Sequence, residues 1–93
     1  MSFENFKILL HNHFIKKTKR LRLSQSYINK MESFLSILKS DPIPWKNFDI
    51  KKIEGSDNIY RVRIGIYRIF YSLDKNERII KILDIETREK AYR

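Results

Sequence analysis

The sequence predicts an α+β fold of order β-α-α-β-β-β-β, with two N-terminal helices packed on one face of a mostly antiparallel sheet. Three observations carry this prediction. Apolar residues recur at helical spacing up to Lys39 and at every second position beyond Phe48, so the period changes from 3.6 to 2 within one short segment. That segment contains Asp41-Pro42-Ile43-Pro44, where two prolines in three positions impose an extended chain that a helix cannot cross. Gly65-Ile66 then stands between two alternating runs as a two-residue loop with glycine first, the pattern of a type II′ hairpin.

Taken in order, residues 6–12 are short and apolar enough for a first strand, and a short helix follows that carries Lys16, Lys17, Lys19, Arg20 and Arg22. Ser24 opens a longer helix, over 24–39, on which Tyr27, Ile28, Met31, Phe34, Leu35 and Leu38 form one apolar stripe. Beyond the prolines, residues 48–53, 58–64, 67–73 and 78–85 read as four strands of a meander, with 74–77 as a four-residue turn. Helices on one face leave the other face of this sheet free.

Length, charge and absent residues narrow the function. A chain of 93 residues buries roughly 60–65% of its unfolded surface, enough for one domain over 1–93 and too little for a second domain or a large cofactor. Twenty Lys and Arg against eleven Asp and Glu give a net charge of +9. Such a surplus points to a polyanionic partner such as nucleic acid, ahead of an acidic protein or an anionic membrane. Without cysteine there is no disulfide, thiol nucleophile or Cys-ligated metal. Apolar runs of four residues or fewer fall far short of the roughly 20 that span a bilayer, and the expectation is a cytoplasmic protein with no membrane partner.

The hairpin fixes what its arginines do. A Gly65-Ile66 loop sets Ile64 against Tyr67, Arg63 against Arg68, Val62 against Ile69 and Arg61 against Phe70. Tyr60, Val62, Ile64, Tyr67, Ile69 and Tyr71 then form the side that meets the helices, and Arg61, Arg63, Arg68, Phe70 and Ser72 form the other. Continuing the register across a turn at 74–77 sets Ile80 against Tyr71 and Ile82 against Ile69. Like charges directly opposite each other cost some tenths to ~1 kcal/mol, so selection for folding alone would avoid the Arg63–Arg68 pair. The last strand runs back toward Gly65 and brings Arg88 and Tyr92 toward these arginines, and Lys52 on the preceding strand joins the group. Clustered guanidinium groups suit phosphate, whose oxygens their planar forks bind bidentately. The plain alternative is an ordinary solvated surface.

Other features are less specific. His11-Asn12-His13, read as strand residues with no nearby carboxylate, makes a poor metal site. The basic run Lys16–Arg22 either contacts a nucleic-acid backbone or is a solvated helix face. Trp45, beside two prolines, is expected to cover the helix-to-sheet corner in preference to stacking on a base.

From Asp41 onward, the pattern YRVRxGxYRIFY, an Ile-rich strand and then Arg-x-x-x-Tyr resembles the RelE branch of the RelE/ParE toxin superfamily, especially its archaeal members. The resemblance implies the toxin of a type II toxin–antitoxin pair that enters the ribosomal A site, cuts the bound mRNA and is neutralised by a RelB-like antitoxin wrapped around it. It implies attack by a ribose 2′-OH on the adjacent phosphate with departure of the 5′-oxygen, without metal or other cofactor. Carried over by position, Arg68 and Arg88 become catalytic or phosphate-binding, Tyr92 takes the C-terminal tyrosine position, and Arg61 and Arg63 fall where many relatives have lysines. Arginine does not give up its proton in proteins, which leaves Tyr92 or Lys52 to accept one.

Two other readings stand beside this one: a ParE-like toxin acting on DNA gyrase, and a nucleic-acid-binding module without catalysis. Charge is also unevenly spread, since residues 1–46 carry nine basic and three acidic groups and residues 47–93 carry eleven and eight. The N-terminal excess is expected to dock the protein on ribosomal RNA, while the arginines beyond it hold the scissile phosphate.

Overall fold

A computed structural model describes residues 5–87. It contains β1 (Lys7–Leu10), α1 (Asn12–Leu21), α2 (Gln25–Leu38), β2 (Asp49–Lys52), β3 (Ile59–Ile64), β4 (Tyr67–Asp74) and β5 (Ile79–Thr87), in the order the sequence predicts. The strands form one sheet, β1-β5-β4-β3-β2, antiparallel throughout except where β1 runs parallel to β5.

Local chemistry sets the helix ends. The imidazole Nδ1 of His11 accepts a hydrogen bond from the His13 amide at 3.1 Å and caps α1. His11-Asn12-His13 is therefore the start of a helix and not part of a strand, which ends at Leu10. Arg22, left-handed at φ 52°, closes α1. Ser24 caps α2, its hydroxyl accepting from the Tyr27 amide at 3.1 Å, a contact worth about 1 kcal/mol. At the other end the amides of Ser40 and Asp41 turn back to the Ile37 carbonyl, at 3.1 and 2.9 Å, before the prolines take over.

Tyr27, Phe34 and Leu38 are the buried residues of α2, spaced seven and four apart and so on one face. They cover the inner face of the sheet, where Val62, Ile69, Tyr71, Ile80, Ile82 and Ile85 are completely buried. The Phe34 ring meets Phe48 and Tyr71 edge-on, at centroid distances of 5.0 and 5.9 Å. The Tyr71 hydroxyl donates to the Pro42 carbonyl at 2.9 Å and ties the proline segment to the sheet. Pro44 and Phe48 close this corner; Trp45, expected to do so, is 57% exposed because the chain turns at Pro44 and directs the indole outward.

The β3–β4 register is the one the sequence predicts, from Ile64 opposite Tyr67 to Arg61 opposite Phe70. Gly65 takes φ 60° and Ile66 does not enter the positive region, as a type II′ turn requires. The β4–β5 connection departs from expectation twice. Its loop is 75–78 because Arg78 adopts the left-handed region at φ 55°, with its guanidinium 4.3 Å from the centre of the Phe6 ring. Leu73 thus faces Ile80 and Tyr71 faces Ile82, in place of the expected Ile80–Tyr71 and Ile82–Ile69 pairs. Leu83 then forms a bulge, after which Phe70 faces Asp84 and Ile69 faces Ile85. One extra residue keeps Ile85 in the core and delivers Asp84 and Glu86 to the opposite face.

Candidate functional site

Two rows of side chains cross the outer face of the sheet. Register places Asp49, Arg63, Arg68 and Glu86 side by side in one row, and Lys51, Arg61, Phe70 and Asp84 in the next. Neighbours within a row are one strand spacing apart, about 4.8 Å, and the rows are about 7 Å apart. The opposed pair Arg63–Arg68 stands as predicted, but an acid flanks it at each end. An Arg63 guanidinium nitrogen lies 3.2 Å from an Asp49 carboxylate oxygen, and Glu86 is directly across from Arg68. These acids offset the repulsion that the two arginines alone would cost.

The face is not uniformly open, contrary to the expectation of a free surface. Arg68 is 6% exposed and is the one charged residue buried among the described residues, whereas Arg61, Arg63 and Phe70 are half-buried. Charged groups enter the interior only with charge or hydrogen-bond partners, so the acids of this row and its neighbour are part of what allows the burial.

α1 contributes from the side. Because β1 pairs only with residues 79–82 of β5, the chain turns into α1 beside the remainder of that strand. Phe14, 2% exposed, anchors the helix in the core. One turn on, the Lys17 ammonium donates to Asp84 at 3.0 Å and to Glu86, and His13 Nε2 shares a 3.1 Å hydrogen bond with Asp84. Partial burial pulls the Lys17 pKa down, but the hydrogen bonds to Glu86 and Asp84 outweigh it and hold the pKa above the ordinary lysine value. Burial likewise pushes Asp84 up, and the contacts with Lys17 and the Ile85 amide reverse this, leaving its carboxyl below the usual range. Lys17 thus separates from the basic run, in which Lys16, Lys19, Arg20 and Arg22 are exposed. His13 does have a carboxylate neighbour, contrary to expectation, although no cluster of three or more metal-ligating side chains occurs among the described residues.

A family model described as the ParE toxin of the type II toxin–antitoxin system parDE matches residues 8–92. The chain belongs to this RelE/ParE toxin family. A Methanocaldococcus jannaschii protein that carries the RelE1 toxin name is 41% identical over 88 residues, 95% of this chain and 96% of that one. In the archaeal RelE–RelB complex from Pyrococcus horikoshii OT3, a chain 30% identical superposes with a TM-score of 0.79, covering 89% of this chain and 94% of its own. The RelB–RelE complex from Methanococcus jannaschii shares the fold at a TM-score of 0.74 and 24% identity, covering 90% and 94%. These relatives set the chain on the RelE side of the family.

In this RelE-like toxin the remaining predicted site residues divide. Lys52 pairs with Tyr60, so it has the parity of the helix-covered face and lines an open cavity of about 440 Å³ with Asp57 and Lys75. It does not join the arginines; Lys51, one residue earlier, occupies their face. Arg88 and Tyr92 lie outside the described residues. Asp49, Asp84 and Glu86 were missed by sequence reasoning, which weighed cations alone. The available signal was the three-residue step from Ile82 to Ile85 in a strand that otherwise alternates.

Proposed function

We propose that this toxin is a ribosome-dependent endoribonuclease that cuts mRNA in the A site, acts in the cytoplasm and is held inactive by a RelB-like antitoxin. The observation that carries the reading is the row of guanidinium groups, with Arg68 buried between Arg63 and Glu86 and with Arg61 and Phe70 in the adjacent row. A fixed, partly desolvated cation stabilises a phosphorane more strongly than a mobile surface one. Phe70, the one aromatic ring on this face among the described strands, offers a base a surface to stack on. The relatives of known structure in the archaeal RelE–RelB complexes support the antitoxin partner.

In the reaction the 2′-oxygen forms a bond to the adjacent phosphorus as the bond from phosphorus to the 5′-oxygen breaks. Negative charge grows on the non-bridging oxygens, and Arg61, Arg63 and Arg68 are arranged to share it. One group removes the 2′-OH proton and another protonates the 5′-oxygen. Arg88 and Tyr92 complete the set as further cation and base; with Lys52 on the other face, Tyr92 is the base of the two considered. Lys16, Lys19, Arg20 and Arg22 on α1 and its cap dock the protein on ribosomal RNA.

Primer extension on ribosome-bound mRNA after toxin induction tests this. Cuts in register with codons are expected for the wild type, with loss of cutting in Arg68→Ala and in Arg61→Ala, whose half-exposed site spares the fold. Intact mRNA with inhibited supercoiling would replace the reading with gyrase inhibition, and intact mRNA without growth arrest would leave only nucleic-acid binding.

A further inference from the structure

We propose that Lys51 is the proton donor of the cut: its ammonium protonates the 5′-oxygen as that oxygen leaves phosphorus. The proposal rests on the nuclease reading, whose reaction needs such a donor, and gives the role to a residue on the edge strand beside Arg61.

Register pairs Lys51 with Arg61, so the two stand side by side on the outer face, one strand spacing apart. This is a second opposed pair of like charges, and it differs from Arg63–Arg68 in having no acid directly beside it in its row. Asp49, two residues before Lys51 on the same strand, is engaged by Arg63. Asp84, at the far end of the row beyond Phe70, is held by His13, Lys17 and the Ile85 amide, and Glu86 is held by Lys17. Neither the Lys51 nor the Arg61 side chain joins an ion pair among the described residues. Lys51 is exposed, and its strand is the edge of the sheet, open on its outer side.

Two different cations at one spot divide the chemistry. A guanidinium grips two phosphate oxygens but does not give up its proton, whereas an ammonium carries charge and can also transfer a proton. The other lysines near this face are placed differently. Lys17 is bonded to carboxylates, Lys52 has the opposite parity, and Lys81, opposite Ser72 on β5, lies about 12 Å from Arg61 by register, with Lys7 on β1 further still. With Arg61 on the non-bridging oxygens, the 2′-oxygen loses its proton to the base and bonds to phosphorus. The bond from phosphorus to the 5′-oxygen breaks, and the Lys51 proton moves to that oxygen. The products are a cyclic phosphate and a 5′-hydroxyl, and the neutral amine regains a proton from water.

Single-turnover cutting on saturated ribosomes tests this with two mRNAs, one natural and one with sulfur in place of the 5′-oxygen at the cut linkage. A thiolate leaves without being protonated, because a thiol is far more acidic than an alcohol. Lys51→Arg keeps the charge and loses the donor, so it is expected to cut the natural mRNA about 100-fold more slowly than wild type and the sulfur mRNA nearly as fast. Lys51→Gln, which removes the charge as well, is expected to lose rate on both, but again about 100-fold more on the natural mRNA. A natural rate unchanged in Lys51→Arg would overturn the proposal, as would losses that are equal on the two mRNAs in both variants. Wild type that cuts neither mRNA would refute the nuclease reading itself; wild type that cuts both, with Lys51→Arg matching it on both, would refute the role of Lys51 alone.

Discussion

Replacing Tyr71 with phenylalanine should destabilise the toxin at neutral pH and much less at alkaline pH. The Tyr71 ring is completely buried, and its hydroxyl donates to the Pro42 carbonyl at 2.9 Å. Loss of that bond costs about 1 kcal/mol at pH 7. Burial first, then the nearby Tyr60 and Asp41, push the Tyr71 pKa well above its ordinary value; burial and Tyr67 do the same to Tyr27. A raised tyrosine pKa means that the native state holds its proton more tightly than the unfolded chain. The stabilisation is complete below the unfolded pKa near 10 and drains away as pH rises toward the native value. At pH 11 an unfolded tyrosine is about nine-tenths ionised, so each buried tyrosine has lost about 1–1.5 kcal/mol, and the two together about 3 kcal/mol. Tyr71→Phe carries one of these penalties fewer. Its deficit of about 1 kcal/mol at pH 7 should therefore shrink to about zero at pH 11, a difference large enough to read from urea unfolding followed by far-UV circular dichroism. An equal deficit at both pH values would show that the hydroxyl is not held neutral in the native state, and the placement of Tyr71 would be wrong.

Neutralising Lys16, Lys19 and Arg20 together should weaken ribosome association and flatten its salt dependence by about two to three in the log–log slope, while single-turnover cutting at saturation stays near the wild-type rate; a lost rate at saturation would move these residues into the chemistry. Deleting Leu83 should leave a folded protein, because Ile82, Asp84, Ile85 and Glu86 would then alternate faces without a bulge and keep the observed pairs with Tyr71, Phe70, Ile69 and Arg68. Circular dichroism and thermal melting check this, and wholesale unfolding would mean that the bulge does more than set side-chain parity.

Much of the fold was legible because its period is expressed locally. The β3–β4 hairpin follows from glycine at the first loop position and from strict alternation on both sides, and the α2 stripe follows from apolar spacing alone. The β4–β5 register was not legible, for two physical reasons. A left-handed arginine inside a turn is a rare conformation that no local rule assigns to Arg78, and a bulge breaks the two-residue period on which register arguments rest. The candidate site inherits the same division. Arg61, Arg63 and Arg68 were placed correctly with respect to one another, whereas Asp84 and Glu86 reach the face only through that bulge and Asp49 reaches it by pairing with Arg63. Lys17 could not be told from Lys16 in sequence, yet adjacent helical residues point about 100° apart. Once His11 caps the helix and Phe14 anchors it, one lysine meets the sheet and the other meets solvent.

The position of β5 bears on the order in which the sheet of this toxin is completed. Lys7 pairs with Ile79, so the strand made last among those described fills a slot between the first strand and the fourth. A ribosome making this chain from the N-terminus produces β1, both helices and the β2–β4 meander before the piece that joins them exists. Contacts this distant in sequence form late. The acids that flank Arg68 on one side, and that Lys17 must reach, arrive with β5 as well. Synthesis thus finishes the sheet at its second strand: a nascent chain holds Arg61, Arg63 and Arg68 on the β3–β4 hairpin before the strand that carries Asp84 and Glu86 beside them has been made.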